Sequence, residues 1–432
     1  MSKRDSKKLR PSGSRGGPDA LSRRQLLTGA AAVAGVAALG ASGVALAQEE
    51  PLQAGPRVMG AGADDLGERS AHEQLSRAAI AEYPNGMLAS LTPLGDLEGT
   101  ITPSDLHYEV HHHGVPEIDP SEHRLLVHGM VDNPTVYTMA DIKRFPSVTR
   151  ISFMECSGNS LGFFFGPAES DTAQGVAGLA SCSQWVGVPL ARIFKEVGVS
   201  PKATWVLFEG ADAGLNHRSW PIEKLWDSDA LLAYGQNGEA LRPPQGYPLR
   251  LIVPGSEGNA NVKWLRRIEF SDQPGNSEKE TAQYSDIVMD ENGELVANQF
   301  TFTMYAKSII TTPSGGQSVS GPGTWEIRGL AWSGRGKIAR VEISTDNGQT
   351  WHLASLDGPV LPQAFTRFRY LWDWDGSEAV IMSRAIDETG YVQPSREELI
   401  SWGRPPITYY HTNAMFRWKV SPDGSVTSGD AV

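Results

Sequence analysis

The sequence predicts an α+β domain followed by a β-sandwich, on three observations. Between about residues 101 and 271, short apolar runs alternate with helical segments and Gly/Pro punctuation. Residues 272–299 are acidic and polar, with Gly275-Asn276-Ser277-Glu278-Lys279-Glu280 among them, and read as a loop or linker. Beyond them the apolar period becomes two and stays so, the pattern of a sandwich of about seven strands and about 110 residues. These shifts divide the chain into a first domain over 101–299, a sandwich over 300–424 and a tail over 425–432, preceded by a leader over 1–47 and an arm over 48–100.

In the leader, Ser22-Arg23-Arg24-Gln25-Leu26-Leu27 stands before an uncharged run, Thr28–Ala47, that is rich in Ala, Gly and Val and ends in Ala45-Leu46-Ala47. This is a twin-arginine export pattern with a small-residue cleavage site before Gln48. It predicts a periplasmic protein exported already folded, and folded export commonly accompanies a cofactor loaded in the cytoplasm. The alternative is an N-terminal anchor helix, since about 20 apolar residues cross a bilayer. The run lacks the Leu, Ile and Phe bulk of such a span, so no stable membrane segment is expected after cleavage.

The arm mixes Gly, Pro and acidic residues with a short helical stretch near Glu68–Ala81, and reads as mobile or wrapping. Leu125–Met130 reads as a strand and Asp132-Asn133-Pro134 as a turn. Thr138 is placed to cap a short helix, Met139–Arg144, which Pro146 stops. Ile151–Glu155 is a second strand that delivers Cys156 into a loop. Leu190, Ile193, Phe194 and Val197 recur at helical spacing, with Gly198 just past the end. Trp205–Phe208 and Leu249–Val253 have the length of buried strands. In the sandwich, Trp325–Leu330 and Ile338–Ser344 alternate, and Asp346-Asn347-Gly348 turns a hairpin into Trp351–Ala354. Further strands follow near Phe365–Leu371, Ala379–Ile386 and Met415–Val420.

The 432 residues carry 38 Lys/Arg and 50 Asp/Glu. Loss of the leader, with its eight basic and two acidic side chains, leaves 30 against 48 and a net charge of −18. That balance disfavours nucleic acid and anionic membranes; it suits a positively charged protein partner, or serves solubility alone. Cys156 and Cys182 are the only cysteines, too few for a disulfide scaffold, a Cys-based zinc site or an iron–sulfur cage. Cys-x-x-Cys-His is absent, so no haem is attached covalently. A Cys156–Cys182 disulfide stays open on counting alone.

Cys156 follows a strand and precedes Ser157-Gly158-Asn159, a tight turn at the mouth of a sheet. A thiol held there is placed to bind a metal, because thiolates are soft ligands whose ionisation a cation favours; a buried apolar Cys is the competing reading. His111-His112-His113-Gly114, Asn216-His217-Arg218-Ser219, Gly246–Arg250 and Gly258–Trp264 each join a donor side chain to Gly or Asn, where backbone N–H groups can approach an anion. Each segment alone is weak. The three histidines also suggest zinc, but neighbours on a strand alternate faces, so at most two could meet one ion.

Taken in order, these segments resemble the sulfite oxidase family of molybdenum enzymes, from about Leu106 to Val420. The resemblance rests on Glu155–Asn159, Gly178–Leu190, Leu231–Gly238 and Val253–Leu265, and in the carboxyl half on Gly329–Gly334 and Ser344–Trp351. It implies a molybdopterin domain followed by an immunoglobulin-like dimerisation domain, with molybdenum and molybdopterin as cofactor. It places Cys156 as the metal ligand, leaves Cys182 a free buried thiol, and disfavours the disulfide. His111, His112, His113, Asp212, His217, Arg218, Arg250, Asn261 and Lys263 fall in segments that hold the pterin and its phosphate. Tyr234 falls on the active-site tyrosine and Arg417 on an arginine reaching the substrate from the carboxyl end.

The departures from the family refine the expectation. Ser160 and Leu161 stand where sulfite oxidases have two anion-holding arginines, and His111 aligns with a further substrate arginine. Losing a charge-assisted contact costs roughly 1.5–3 kcal/mol, so sulfite is expected to be a poor substrate. With Val115-Pro116-Glu117-Ile118-Asp119-Pro120, the pattern is most similar to the molybdenum subunits of bacterial sulfane dehydrogenases. That similarity implies oxidation of sulfane sulfur on a carrier protein, a separate c-type cytochrome subunit as electron acceptor, and a homodimer within a heterotetramer. Sulfite dehydrogenation with the same cofactor is the second reading.

Overall fold

The computed structural model describes residues 67, 69–82, 88–289, 292, 294–402 and 411–430. The twin-arginine leader and its cleavage site lie outside the described residues. Among those described, no helix is long and apolar enough to cross a membrane.

Two mainly antiparallel sheets carry the first domain. One runs in the order Thr135–Tyr137, Leu125–Gly129, Leu265–Ser271, Trp205–Gly210, His217–Pro221, with a single parallel pairing between Leu125–Gly129 and Leu265–Ser271. The other runs Glu239–Ala240, Leu231–Gln236, Ala180–Pro189, Val148–Glu155, with Arg250–Ile252 also paired to Leu231–Gln236. The helix Leu190–Val197 turns its expected face, Leu190, Ile193, Phe194 and Val197, into one apolar cluster with residues of both sheets. Gly198 ends it in the left-handed region at φ 63°. Thr138 caps Met139–Arg144 with a reciprocal bond to Asp141, the arrangement its sequence position predicts.

The carboxyl-terminal part is a sandwich. One sheet holds Lys307–Thr312, Gly323–Trp332, Thr366–Trp374 and Ser355–Leu356; the other holds His352–Leu353, Ile338–Ser344, Ala379–Asp387, Arg417–Val420 and Val426–Ser428. Among the described residues the expected seven strands are nine, for two reasons. The stretch after the hairpin divides into two short strands that pair with opposite sheets. The expected tail is instead an edge strand, because Val426–Ser428 finds free backbone partners along Trp418–Val420 and buries Val426.

The arm also departs from expectation. Helical spacing near Glu68–Ala81 is overridden by cross-strand pairing: Ala78–Glu82 pairs with Leu88–Leu91, which pairs in turn with Glu109–His111. Beyond it, residues 92–99 are tied down. Leu94 enters the apolar cluster of the sandwich, and Arg367 donates to the carbonyls of Leu97 and Gly99. That cluster also takes in Phe153, Ala180 and Cys182 of the first domain, so the two parts share one core. Both cysteines are free thiols.

Phe194 is fully buried and meets Phe270 edge-on at 5.0 Å between ring centres. Phe194→Ala is expected to cost about 3–5 kcal/mol of folding free energy, read as a shift of the denaturation midpoint, because both sheets lose their common packing partner.

Candidate active site

Val148–Glu155 carries Cys156 to the end of its sheet, and the chain turns at once, Asn159 N donating to the Cys156 carbonyl at 2.9 Å. The loop Val253–Asn261 comes up against this turn. Gly258 makes the approach possible, since a Cβ there would lie 2.7 Å from Tyr108 Oη and 2.9 Å from the Glu155 carbonyl. Asn261 braces the loop, accepting from Val253 N at 2.6 Å and donating to Ser256 Oγ at 3.0 Å and the Glu257 carbonyl at 2.8 Å. Together they border an open cavity, about 740 Å³ with the solvent space at its mouth included, that has Cys156 and Tyr108 in its wall.

Of the residues expected from sequence, Cys156, His111, His112, Asp212, Arg250, Asn261 and Lys263 line this one cavity. Lys263 Nζ donates to the carbonyls of Val110 (3.0 Å) and Pro244 (3.2 Å) and to His111 Nδ1 (2.9 Å). An ammonium can only donate, so His111 accepts at Nδ1 and carries its proton at Nε2, 3.2 Å from Glu109 Oε2. Arg77 pairs with the same carboxylate. Arg250 donates from Nη1 to the Gln245 carbonyl at 2.8 Å and from Nη2 to the Asn261 carbonyl at 3.2 Å, leaving Nε without a partner.

Burial dominates the electrostatics. It brings Lys263 down to about 7, with Arg250 adding repulsion, and Arg250 down to about 10. It also lowers His112 to about 4 and pushes the Cys156 thiol up to about 11. The Tyr108 phenol is held well above its ordinary value by burial and by neighbouring Cys156. The cavity therefore presents cationic donors that are poorly solvated and a thiol that ionises only with a cation bound to it.

Five expected residues lie elsewhere. His113 is exposed and its ring packs on Gly214, where a Cβ would come within 2.0 Å. His217 turns its ring to the Leu215 carbonyl at 2.9 Å. Arg218 is fully buried behind the cavity, under the Tyr284 ring, with Nη2 on the Thr301 carbonyl at 3.2 Å and with Nε and Nη1 lacking partners. Tyr234 is corrected by alternation: Leu231 and Ala233 face the cluster that holds Tyr108 and Cys156, whereas Leu232 and Tyr234 face the opposite cluster, with Lys143 Nζ 5.7 Å from the ring. The phenol beside Cys156 is Tyr108. Arg417 is corrected likewise, because Trp418 and Val420 point into the sandwich and Arg417 outward, to Asp430 Oδ1 at 2.7 Å and Glu397 Oε1 at 3.1 Å. Sequence reasoning missed Tyr108, Gln245 and Tyr284 as lining residues; only the position of Tyr108 three residues before the histidine run hinted at one.

Residues 112–279 match the oxidoreductase molybdopterin binding domain, and residues 298–422 match the Mo-co oxidoreductase dimerisation domain. The chain is 30% identical to mitochondrial sulfite oxidase of Drosophila melanogaster over 361 residues, covering 78% of this chain and 63% of that protein. It is 30% identical to nitrate reductase (NADH) 1 of Phaseolus vulgaris over 344 residues, covering 69% of this chain and 38% of the reductase. It thus spans less than two thirds of either relative. Among solved structures, the sulfane dehydrogenase SoxCD of Paracoccus pantotrophus is similar with a TM-score of 0.77 and 41% identity, over 84% of this chain and 95% of that one. With a cysteine-walled cationic cavity in the first domain and a sandwich after it, the chain belongs to the sulfite oxidase family of molybdopterin oxidoreductases, enzymes of a molybdenum cofactor.

Proposed function

We propose that this molybdenum oxidoreductase oxidises sulfane sulfur bound to a carrier protein in the periplasm and passes the electrons to a c-type cytochrome subunit. The observation that carries the reading is the charge state beside Cys156. At the three positions where the family resemblance places anion-binding arginines stand Ser160, Leu161 and a His111 already engaged on both ring nitrogens. Burial also holds His111 below the usual imidazole range. A small dianion such as sulfite would find little fixed charge there, whereas the terminal sulfur of a carrier persulfide needs less. The likeness to a sulfane dehydrogenase structure supports the same choice. Homodimerisation through the carboxyl-terminal domain, within a heterotetramer, completes the proposal.

The residues fit the cofactor. Arg250 Nε, Arg218 Nε and Nη1, and Asn259 Oδ1 are buried polar atoms without partners in or behind the cavity, the kind of group that a polar ligand satisfies. Lys263, Arg250, His112 and Asn261 would hold the pterin and its phosphate, and Cys156 would hold the metal. When bound, the cofactor supplies two-electron redox chemistry and transfer of water-derived oxygen. Over the whole reaction a persulfide R–S–S⁻ and three waters become R–S–SO₃⁻, six protons and six electrons, the last taken up singly by the cytochrome. Tyr108 stays protonated at working pH and remains a donor in the wall beside the thiolate.

Cys156→Ser is expected to retain about a tenth or less of the molybdenum found in the wild type, measured by elemental analysis, because an alcohol is a harder and far less acidic ligand. Normal metal content in that variant would remove Cys156 from its assigned role.

In cofactor-free protein Lys263 is charged below about 7 and neutral above it. Sulfate, whose own charge is constant, should therefore bind the empty cavity about tenfold more tightly near pH 6 than near pH 8.5. Calorimetric titration checks this, and Lys263→Met should remove most of the dependence, since burial lowers His112 to about 4 and holds His111 below the usual imidazole range.

Steady-state assays with free sulfite and with a persulfide-loaded carrier decide the substrate. The carrier is expected to be preferred in kcat/KM by about 100-fold, the equivalent of one or two missing charge-assisted contacts. Efficient sulfite oxidation that is indifferent to the carrier would return the enzyme to sulfite dehydrogenation.

A further inference from the structure

Lys307 is fully buried at the start of the strand Lys307–Thr312 in the carboxyl-terminal domain, yet its ammonium reaches into the first domain. It donates to Glu155 Oε1 at 2.8 Å and to Ser160 Oγ at 2.7 Å, residues that flank Cys156 along the chain. Glu155 is fully buried as well, and accepts further bonds from Asn159 Nδ2 at 2.9 Å and Trp332 Nε1 at 2.7 Å. The rings of Trp332 and Phe416 lie 6.0 and 5.9 Å from the ammonium.

As a mere latch between domains this pair is a poor choice. Two charges taken out of water are stabilising only with excellent geometry, and apolar groups of similar volume commonly hold such a place as well or better. Its local consequences are more specific. Ser160 sits in the left-handed region at φ 69°, uncommon for a residue with a Cβ, and makes no side-chain bond to cap the following helix Leu161–Phe165. Its hydroxyl is claimed by Lys307 instead. With an ammonium on its lone pair, that hydroxyl keeps its own proton free to donate. The positive charge behind it is balanced by Glu155, so the turn shows no net charge.

We propose that Lys307 is a positioning and specificity-determining residue: paired with Glu155, it holds the left-handed Ser160 turn beside Cys156 and keeps that wall electrically neutral, which favours thiol-bound sulfane sulfur over a small dianion. The inference rests on the substrate reading above. It makes Glu155, one residue before the metal-ligand cysteine, the counter-charge that masks a cation buried behind the Cys156 turn.

The test compares molybdenum-loaded wild type, Glu155→Gln and Glu155→Gln/Lys307→Met, in which the cofactor already fills the phosphate subsite. Sulfate binding is measured by calorimetric titration at low and moderate salt. Glu155→Gln unmasks the ammonium and is expected to tighten sulfate binding about tenfold at low salt, an effect that weakens little at moderate salt because Lys307 is buried. The KM for sulfite should fall, and the double variant should return to wild-type affinity. A loaded Glu155→Gln protein with unaltered sulfate affinity overturns the proposal. Where Glu155→Gln does not accumulate, Ser160→Ala keeps both charges and cuts only the link to the turn. It should alter the electron paramagnetic resonance signal of the metal and lower kcat on the carrier about tenfold at unchanged KM, as lost positioning does. An unchanged spectrum and kcat would overturn the proposal by that route. Failure of the substrate reading shows itself separately, as efficient sulfite turnover by the wild type, while the sulfate titration still reports on Lys307.

Discussion

The alternation of side chains along Val148–Glu155 is the constraint on which the rest depends. Ile151, Phe153 and Glu155 face the carboxyl-terminal domain, where Phe153 lies 6.4 Å from Trp332 and Glu155 meets Lys307. Met154 and Cys156 face the cavity and its cluster with Tyr108. The register is held by pairing along the whole strand, from Val148 opposite Gly187 to Glu155 opposite Ala180. Because the side-chain period is two, a slip of one residue would exchange the two sets. It would put a carboxylate into the cavity and the thiol into an apolar core, so the fold and the metal-binding capacity stand on the same register.

The cavity shows why a charged cofactor and this fold suit each other. Lys263 and Arg250 spend their donors on backbone carbonyls and on one neutral imidazole, not on carboxylates. They are fixed in place but not neutralised. Burial depresses their pKa values, at Lys263 against the pull of Glu109 and Asp212, and an anionic group entering the cavity relieves that penalty. The acidic chain of Arg77–Glu109–His111 stops one step short: its carboxylate selects the tautomer of His111, and the imidazole, not the carboxylate, meets Lys263. Through this chain of bonds the Lys263 ammonium meets no carboxylate directly. At the Cys156 turn the cation is matched by Glu155. The cavity and the packed core behind the Cys156 turn thus hold two electrostatic regimes, one with cations outside direct ion pairs and one with a matched pair.

Much of this was legible in sequence. The Cys156 turn, the Arg250 strand and the Asn261–Lys263 loop stand in ordered motifs rich in Gly and Asn, and at Gly258 the close approach is to Tyr108 and the Glu155 carbonyl. The helix at 190–197 and the two-residue period of the sandwich followed from spacing alone. The arm did not, because short-range spacing near Glu68–Ala81 is outweighed by strand pairing with Leu88–Leu91, a partner that local pattern does not reveal.

What the sequence determined by itself was the set of elements, the division of each strand into two faces, and the chemistry available at Cys156. Tertiary structure alone decided which face looks into the cavity. A linear reading puts Tyr234 at the site and passes over Tyr108, but the face shared by Leu232 and Tyr234 is taken up by packing against the opposite sheet. Arg417 has the right charge, yet Asp430 and Glu397 hold it on the outer face of its strand. Lys307 reads as an ordinary strand residue until the sandwich docks and its ammonium finds Glu155 across 152 residues of chain. Periodicity acts over a few residues and therefore writes itself into the sequence; desolvation and charge pairing act between segments brought together only by the completed core.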